Sequence, residues 1–117
     1  MPAHSRNDIW MAWTVEFLGD AAKTEVEALP ESLLASFLRI VELIEAEGLE
    51  RIREPYVKHL KGKLWEMRLK GRDGIARSVY VTAAEKRVVV LRTFVKKTQK
   101  TPPRELKLAM ARAKEVE

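Results

Sequence analysis

Residues 64–70 (LWEMRLK) alternate apolar and polar side chains, so Glu66 and Arg68, two apart, project from the same face of a strand. This spacing permits two readings. The pair is a salt bridge on an exposed strand face, or Arg68 holds a phosphate while Glu66 orients it or handles a proton. Arg77 shares its own strand face with Val79 and Val81, and Tyr80 points the other way with Ser78 and Thr82. If the register sets Arg68 opposite Arg77, two guanidinium forks converge on one oxyanion. Tyr80 reads as a half-buried sheet aromatic or as a stacking residue. Arg92 and Phe94 share a face of a later strand, which runs out through Lys96 and Lys97 to Lys100. That lysine-rich end is either a solvated edge or, with a helix opening at Thr101-Pro102, an anion site. Lys58, His59, Lys61 and Lys63 form a basic stretch able to supply a second wall, with His59 titrating near neutral pH.

Other chemistries lack their residues. His4 and His59 are the only histidines, cysteine is absent, and no paired-carboxylate spacing marks a ligand set, so neither a metal nor another cofactor is expected. Gly62, Gly71 and Gly74 read as turns and not as a phosphate-cradling loop.

Charge is segregated along the 117 residues, whose formal net charge is +5. Residues 1–50 carry three bases against ten acids, a net of −7; residues 51–117 carry nineteen bases against seven acids, a net of +12. Gathered on one face, the second half would attract a polyanion, RNA above all.

The elements that must position these groups follow from periodicity. Residues 1–10 are polar and aperiodic, a flexible leader, with Met11 as an alternative start; residues 11–117 then form one domain. Residues 13–18 alternate as a first strand. Asp20 caps a helix over 21–29, and Pro30 opens a second with a stripe of Leu34, Phe37, Leu38, Val41 and Ile44, widened by Leu33 and Ile40 and stopped at Gly48. Residues 51–63 read as an irregular connection. Strands over 64–70, 75–82 and 87–96 make an antiparallel meander with a hairpin signal at Asp73-Gly74, and Thr101 caps a last helix with Pro102 in its first position. The expected fold is α+β: an antiparallel sheet carrying two N-terminal helices and a C-terminal helix. With no long apolar span and no signal-peptide pattern, a cytoplasmic protein without a membrane partner is expected.

In this order and spacing the chain resembles the RelE/HigB superfamily of type II toxins, in its phage-derived Gp49-like branch. The similar strings are Glu25-Val26 to Leu29-Pro30, VKHLKGKLWEMR at 57–68, Arg77 with Tyr80, and RTFVKKTQKTP at 92–102. The resemblance implies the compact microbial-ribonuclease-like toxin fold and metal-independent cleavage of mRNA on the translating ribosome. It also implies a cognate antitoxin, an XRE-type helix-turn-helix protein, through which the toxin would reach operator DNA. By the same resemblance Arg68 and Arg77 would stabilise the phosphorane. Lys58, His59, Lys61, Lys63, Lys97 and Lys100 would grip RNA, and Tyr80 and Phe94 would be structural or stacking residues. Arg92 stands where many relatives carry histidine, which leaves Glu66, Lys96 and His59 as proton handlers. A related branch poisons DNA gyrase, so a non-catalytic toxin and a plain nucleic-acid-binding module are the alternatives.

Overall fold

The computed structural model describes residues 12–117, and the expected leader over 1–10 and the Met11 start lie outside them. The elements run β1 (Thr14–Phe17), α1 (Gly19–Glu27), α2 (Glu31–Glu47), a 3-10 turn (Leu49–Arg51), β2 (Val57–Lys61), β3 (Leu64–Gly71), β4 (Gly74–Ala83), β5 (Arg87–Lys96) and α3 (Pro103–Ala113). They form one five-stranded sheet in the order β1-β5-β4-β3-β2. β2 to β5 are an antiparallel meander, while β1 joins β5 in parallel, Thr14 opposite Arg87 and Phe17 opposite Val90. A parallel neighbour needs a long crossover, here the whole path from α1 through β4.

Each face of the sheet has its own core. α1 and α2 bury Val26, Leu33, Phe37, Ile40 and Ile44 against Met67, Leu69, Ala76, Tyr80 and Val90. α3 buries Ala109, with Leu106 and Ala113 packed beside it, against Leu64, Val79, Val81, Leu91 and Phe94 on the other face. Burying both faces of β4 and β5 accounts for the unbroken apolar run Val88 to Leu91.

Four expectations change. Asp20 does not cap the first helix but lies in its first turn, because α1 begins at Gly19 after Leu18 and ends at Glu27. The connection over 51–63 contains β2, an edge strand that escapes notice because Lys58, His59 and Lys61 are exposed and only Val57 is buried. The buried stripe of α2 is Leu33, Phe37, Ile40 and Ile44, and Leu38 stays 51% exposed. An apolar band wider than the contact leaves the sheet to decide which edge is covered. Finally, α3 starts one residue later than expected: Pro102 occupies the cap position without a side-chain hydrogen bond, and Thr101 turns elsewhere.

Two close approaches fix how helices meet strands. Gly48 ends α2 at φ +92, a conformation suited to glycine. At Gly71 an added Cβ would stand 2.5 Å from Ser32 Oγ, so the hairpin of β3 and β4 sits tightly on the start of α2. Asp73 completes that junction, accepting hydrogen bonds from Ser32 N at 3.2 Å and Ser32 Oγ at 2.6 Å, while Asp73 N donates to Ser32 Oγ at 3.0 Å. These bonds hold the Asp73 carboxyl below its ordinary pKa.

Candidate functional site

The register of β3 and β4 pairs Arg68 with Arg77 and Glu66 with Val79, and β5 sets Phe94 opposite Arg77. Cross-strand partners share a face, so both arginines and Glu66 lie on the α3 side of the sheet. β2 adds Lys58, opposite Glu66. From β5 comes Lys96, 6% exposed, whose ammonium donates to the Gln99 carbonyl.

Glu66 is the hub. Its carboxylate is 3% exposed, with Oε2 lying 3.2 Å from Arg77 Nε and 3.4 Å from Arg68 Nε. Oε1 accepts a hydrogen bond from Thr101 Oγ1 at 3.3 Å, tying the start of α3 to the site. Arg77 is buried as well, at 4% exposure, and its Nη1 donates to the Ala76 carbonyl at 3.0 Å. Arg77 Nε is close enough to Glu66 for ionic attraction, yet it points off line and makes no hydrogen bond. Arg68 is the more exposed of the two, its side chain 30% accessible, and reaches Glu54 at 3.9 Å as Lys58 does.

Two carboxylates, buried Glu66 and exposed Glu54, thus stand against Arg68, Arg77, Lys96 and Lys58, leaving local positive charge in excess. Burial lowers the Arg77 pKa; Glu66 raises it in part and Arg68 lowers it further. Burial likewise lowers Lys96, reinforced by Arg77 and Arg68 and opposed by Glu66. Glu66, Arg68 and Lys96 open onto a cleft of about 230 Å³ bordered also by Lys58, Lys100 and Thr101, while Arg77 lies buried behind Glu66 and does not line it. An oxyanion entering it would meet a bidentate fork on Arg68 and relieve the excess charge. Among the described residues, no group of three or more His, Cys, Asp or Glu stands together as a metal ligand set.

The remaining sequence candidates fall elsewhere. Lys61, Lys63 and Lys97 are exposed and do not line the cleft, whereas Lys100 stands at its rim. The imidazole of His59 bonds to the Gly62 carbonyl at 2.8 Å and packs edge-on against Trp65, its cross-strand partner, at a ring distance of 5.1 Å. Tyr80 is 1% exposed on the opposite face, and Phe94 is buried beneath α3. Arg92 is held in an ionic clamp, with Nη1 2.8 Å from Glu25 and Nε 2.7 Å from Glu105. Arg112 closes the clamp on Glu25 at 2.9 Å and on the Leu91 carbonyl at 2.7 Å, so α1, β5 and α3 are bound together there. Sequence reasoning missed Thr101 as a partner of Glu66, and it missed Glu25, Glu105 and Arg112 as partners of Arg92. These partners come from distant segments, and no local pattern announces them.

A meander with two helices on one face, one on the other, and an arginine-lined cleft beneath the last helix defines an α+β domain of the RelE-like architecture. In agreement, the chain is similar to a chain in the crystal structure of the archaeal RelE-RelB complex from Pyrococcus horikoshii OT3, with a TM-score of 0.53 and 22% identity over 74% of this chain and 98% of that one. Residues 24–114 match the family described as phage derived protein Gp49-like (DUF891), and the chain belongs to that family. No curated protein matches it.

Proposed function

We propose that this chain is the toxin of a toxin-antitoxin pair and an endoribonuclease that cuts mRNA during translation without a metal. The observation that carries the reading is the pairing of Arg68 with Arg77 around Glu66, with Lys96 and Lys58 beside them. Family membership and the RelE-like fold support it. RNA contains its own nucleophile, so the protein must place the phosphate, stabilise charge and move two protons. The 2'-oxygen attacks phosphorus and forms a new P–O bond while the bond to the 5'-oxygen breaks, giving a 2',3'-cyclic phosphate and a 5'-hydroxyl. Arg68 holds the non-bridging oxygens, and the buried Arg77 guanidinium behind Glu66 helps offset the developing charge of the phosphorane. As those oxygens engage Arg68, a lone pair of Glu66 is freed from its ion pair to accept the 2'-hydroxyl proton. Lys96, whose pKa already lies below the ordinary lysine value, donates a proton to the departing 5'-oxygen. Lys58, Lys61, Lys63, Lys97 and Lys100 steer the RNA backbone, and the ribosome contributes positioning.

The partner we propose is a cognate antitoxin of the XRE-type helix-turn-helix class, which would take the toxin to operator DNA. The similar archaeal chain was itself crystallised in a RelE-RelB complex. Growth inhibition and primer extension on translated mRNA, compared for wild type and R68A/R77A at equal protein level, test the reading. Both activities should vanish in the double variant. Persistence of both would exclude it, and growth arrest with intact transcripts would favour a non-catalytic toxin acting on gyrase or another target.

A further inference from the structure

On the face that carries α1 and α2, behind β2, lies a second and larger cavity of about 780 Å³, its apolar surface from Trp13, Ile52, Val57 and Trp65 and its rim charged by Glu50, Arg53 and Glu54. Trp65 is 39% exposed in a strand whose neighbouring side chains Leu64, Glu66 and Met67 are buried, and His59 braces its ring edge-on. The floor carries a polar group that the fold does not use. Tyr80 is 1% exposed and lines the cavity, yet its hydroxyl has no hydrogen-bond partner among the described residues, and burial alone pushes its pKa up. The hydroxyl oxygen is reached from the cavity rather than sealed in the core, and a pocket with apolar walls and a few convergent polar groups is the usual form of a ligand site. The cavity is not isolated from the arginine cleft, because Lys58 and His59 border both. Lys58 shares its face with Glu66, His59 shares its face with Trp65, and β2 between them is the edge of the sheet.

We infer that this cavity is a nucleobase site, in which one base of an RNA held at Arg68 and Arg77 crosses the β2 edge, stacks on Trp65 and hydrogen-bonds to the Tyr80 hydroxyl. The inference rests on the phosphate-binding reading of the arginine cleft. Neighbouring strands lie about 4.8 Å apart, so passing from β4 around the β2 edge and back beneath β3 to Trp65 covers about 15 Å, within reach of two or three nucleotides. Stacking tolerates any base, whereas the phenol can discriminate among their polar edges. Trp65 and Tyr80 are then the residues that set base preference, and Arg68 and Arg77 act on the phosphate.

Calorimetric titration of the full chain with a 2'-O-methyl RNA tetranucleotide, which cannot be cleaved, and with the same backbone lacking bases tests the assignment. W65A should weaken the base-bearing ligand about tenfold, within the range of lost base-aromatic stacking, and leave the abasic ligand unchanged. Y80F, nearly isosteric, should weaken at least one of the four homopolymeric tetranucleotides several-fold without affecting the abasic one, and it carries the test if W65A fails to fold. Wild-type affinities in both variants, or equal losses for both ligands, overturn the base site. Unchanged RNA binding by W65A together with loss of the antitoxin on copurification overturns it in favour of a protein-docking groove. R68A separates the two readings: it should weaken both ligands, and if it weakens neither while W65A still acts, the phosphate reading fails instead.

Discussion

Around Glu66 stand two guanidiniums and the Lys96 ammonium, Glu54 reaches only Arg68 among these three, at 3.9 Å, and Arg77 Nε is left without an aligned acceptor. Because an anion is what the cluster lacks, anion binding and Lys96 protonation must be coupled. In the protein alone, burial and the two arginines favour neutral Lys96; a bound oxyanion favours the ammonium, so its pKa must rise. Saturating the protein with tungstate should raise the Lys96 titration by about one unit, followed by NMR at the side-chain methylene. An unchanged titration under saturation would place the anion elsewhere. Much of this cluster was legible in the sequence, because strict alternation puts Glu66 and Arg68 on one face and only the register of Arg77 stayed open. Arg92 was not legible as a clamp residue. Its partners Glu25 and Glu105 lie 67 residues before it and 13 after it, and pairing across such separations is decided by how α1 and α3 dock.

At the scale of elements, that clamp does what the apolar contacts of α3 do less fully, since only Glu105 and Ala109 of this helix are buried. Burial alone would raise the Glu25 pKa, but hydrogen bonds from Arg112, Arg92 and the Thr93 amide outweigh it and hold the carboxyl below its ordinary 4.5. A carboxylate with a depressed folded pKa stabilises the fold fully above its unfolded value, and the contribution is lost as pH falls through the folded one. E25Q should therefore be less stable than wild type by about 2 kcal/mol near pH 7, as judged by urea denaturation, with the gap closing below about pH 4. A gap that is the same at pH 7 and pH 3 would remove Glu25 from the clamp. β3, β4 and β5 were readable from alternation and from the apolar run 88–91, as were the helices with their proline and glycine boundaries. β2 was not, because an edge strand that buries only Val57 fully carries too few apolar positions to show a period of two.

For the whole molecule, the segregation of charge becomes a division of faces. Glu27, Glu31, Glu42, Glu45 and Glu47 are exposed on α1 and α2, while the arginine cleft opens on the opposite side of the sheet. This arrangement orients an approaching polyanion toward the cleft and away from the helices. Composition made the basic half visible, but only the register shows that Lys58 of β2, Arg68 of β3, Arg77 of β4 and Lys96 of β5 gather on one face. The family match and RelE-like fold carry the molecule as far as its class. Its central claim, cleavage by the RNA's own 2'-hydroxyl at the Arg68–Arg77 pair, has a chemical signature in the ends it leaves. Mapping RNA ends in cells after brief induction should reveal new 5'-hydroxyl ends within translated mRNA, each matched to a 2',3'-cyclic phosphate, and none with R68A/R77A at equal protein level. Growth arrest with no such ends, or the same ends in the double variant, would contradict the account.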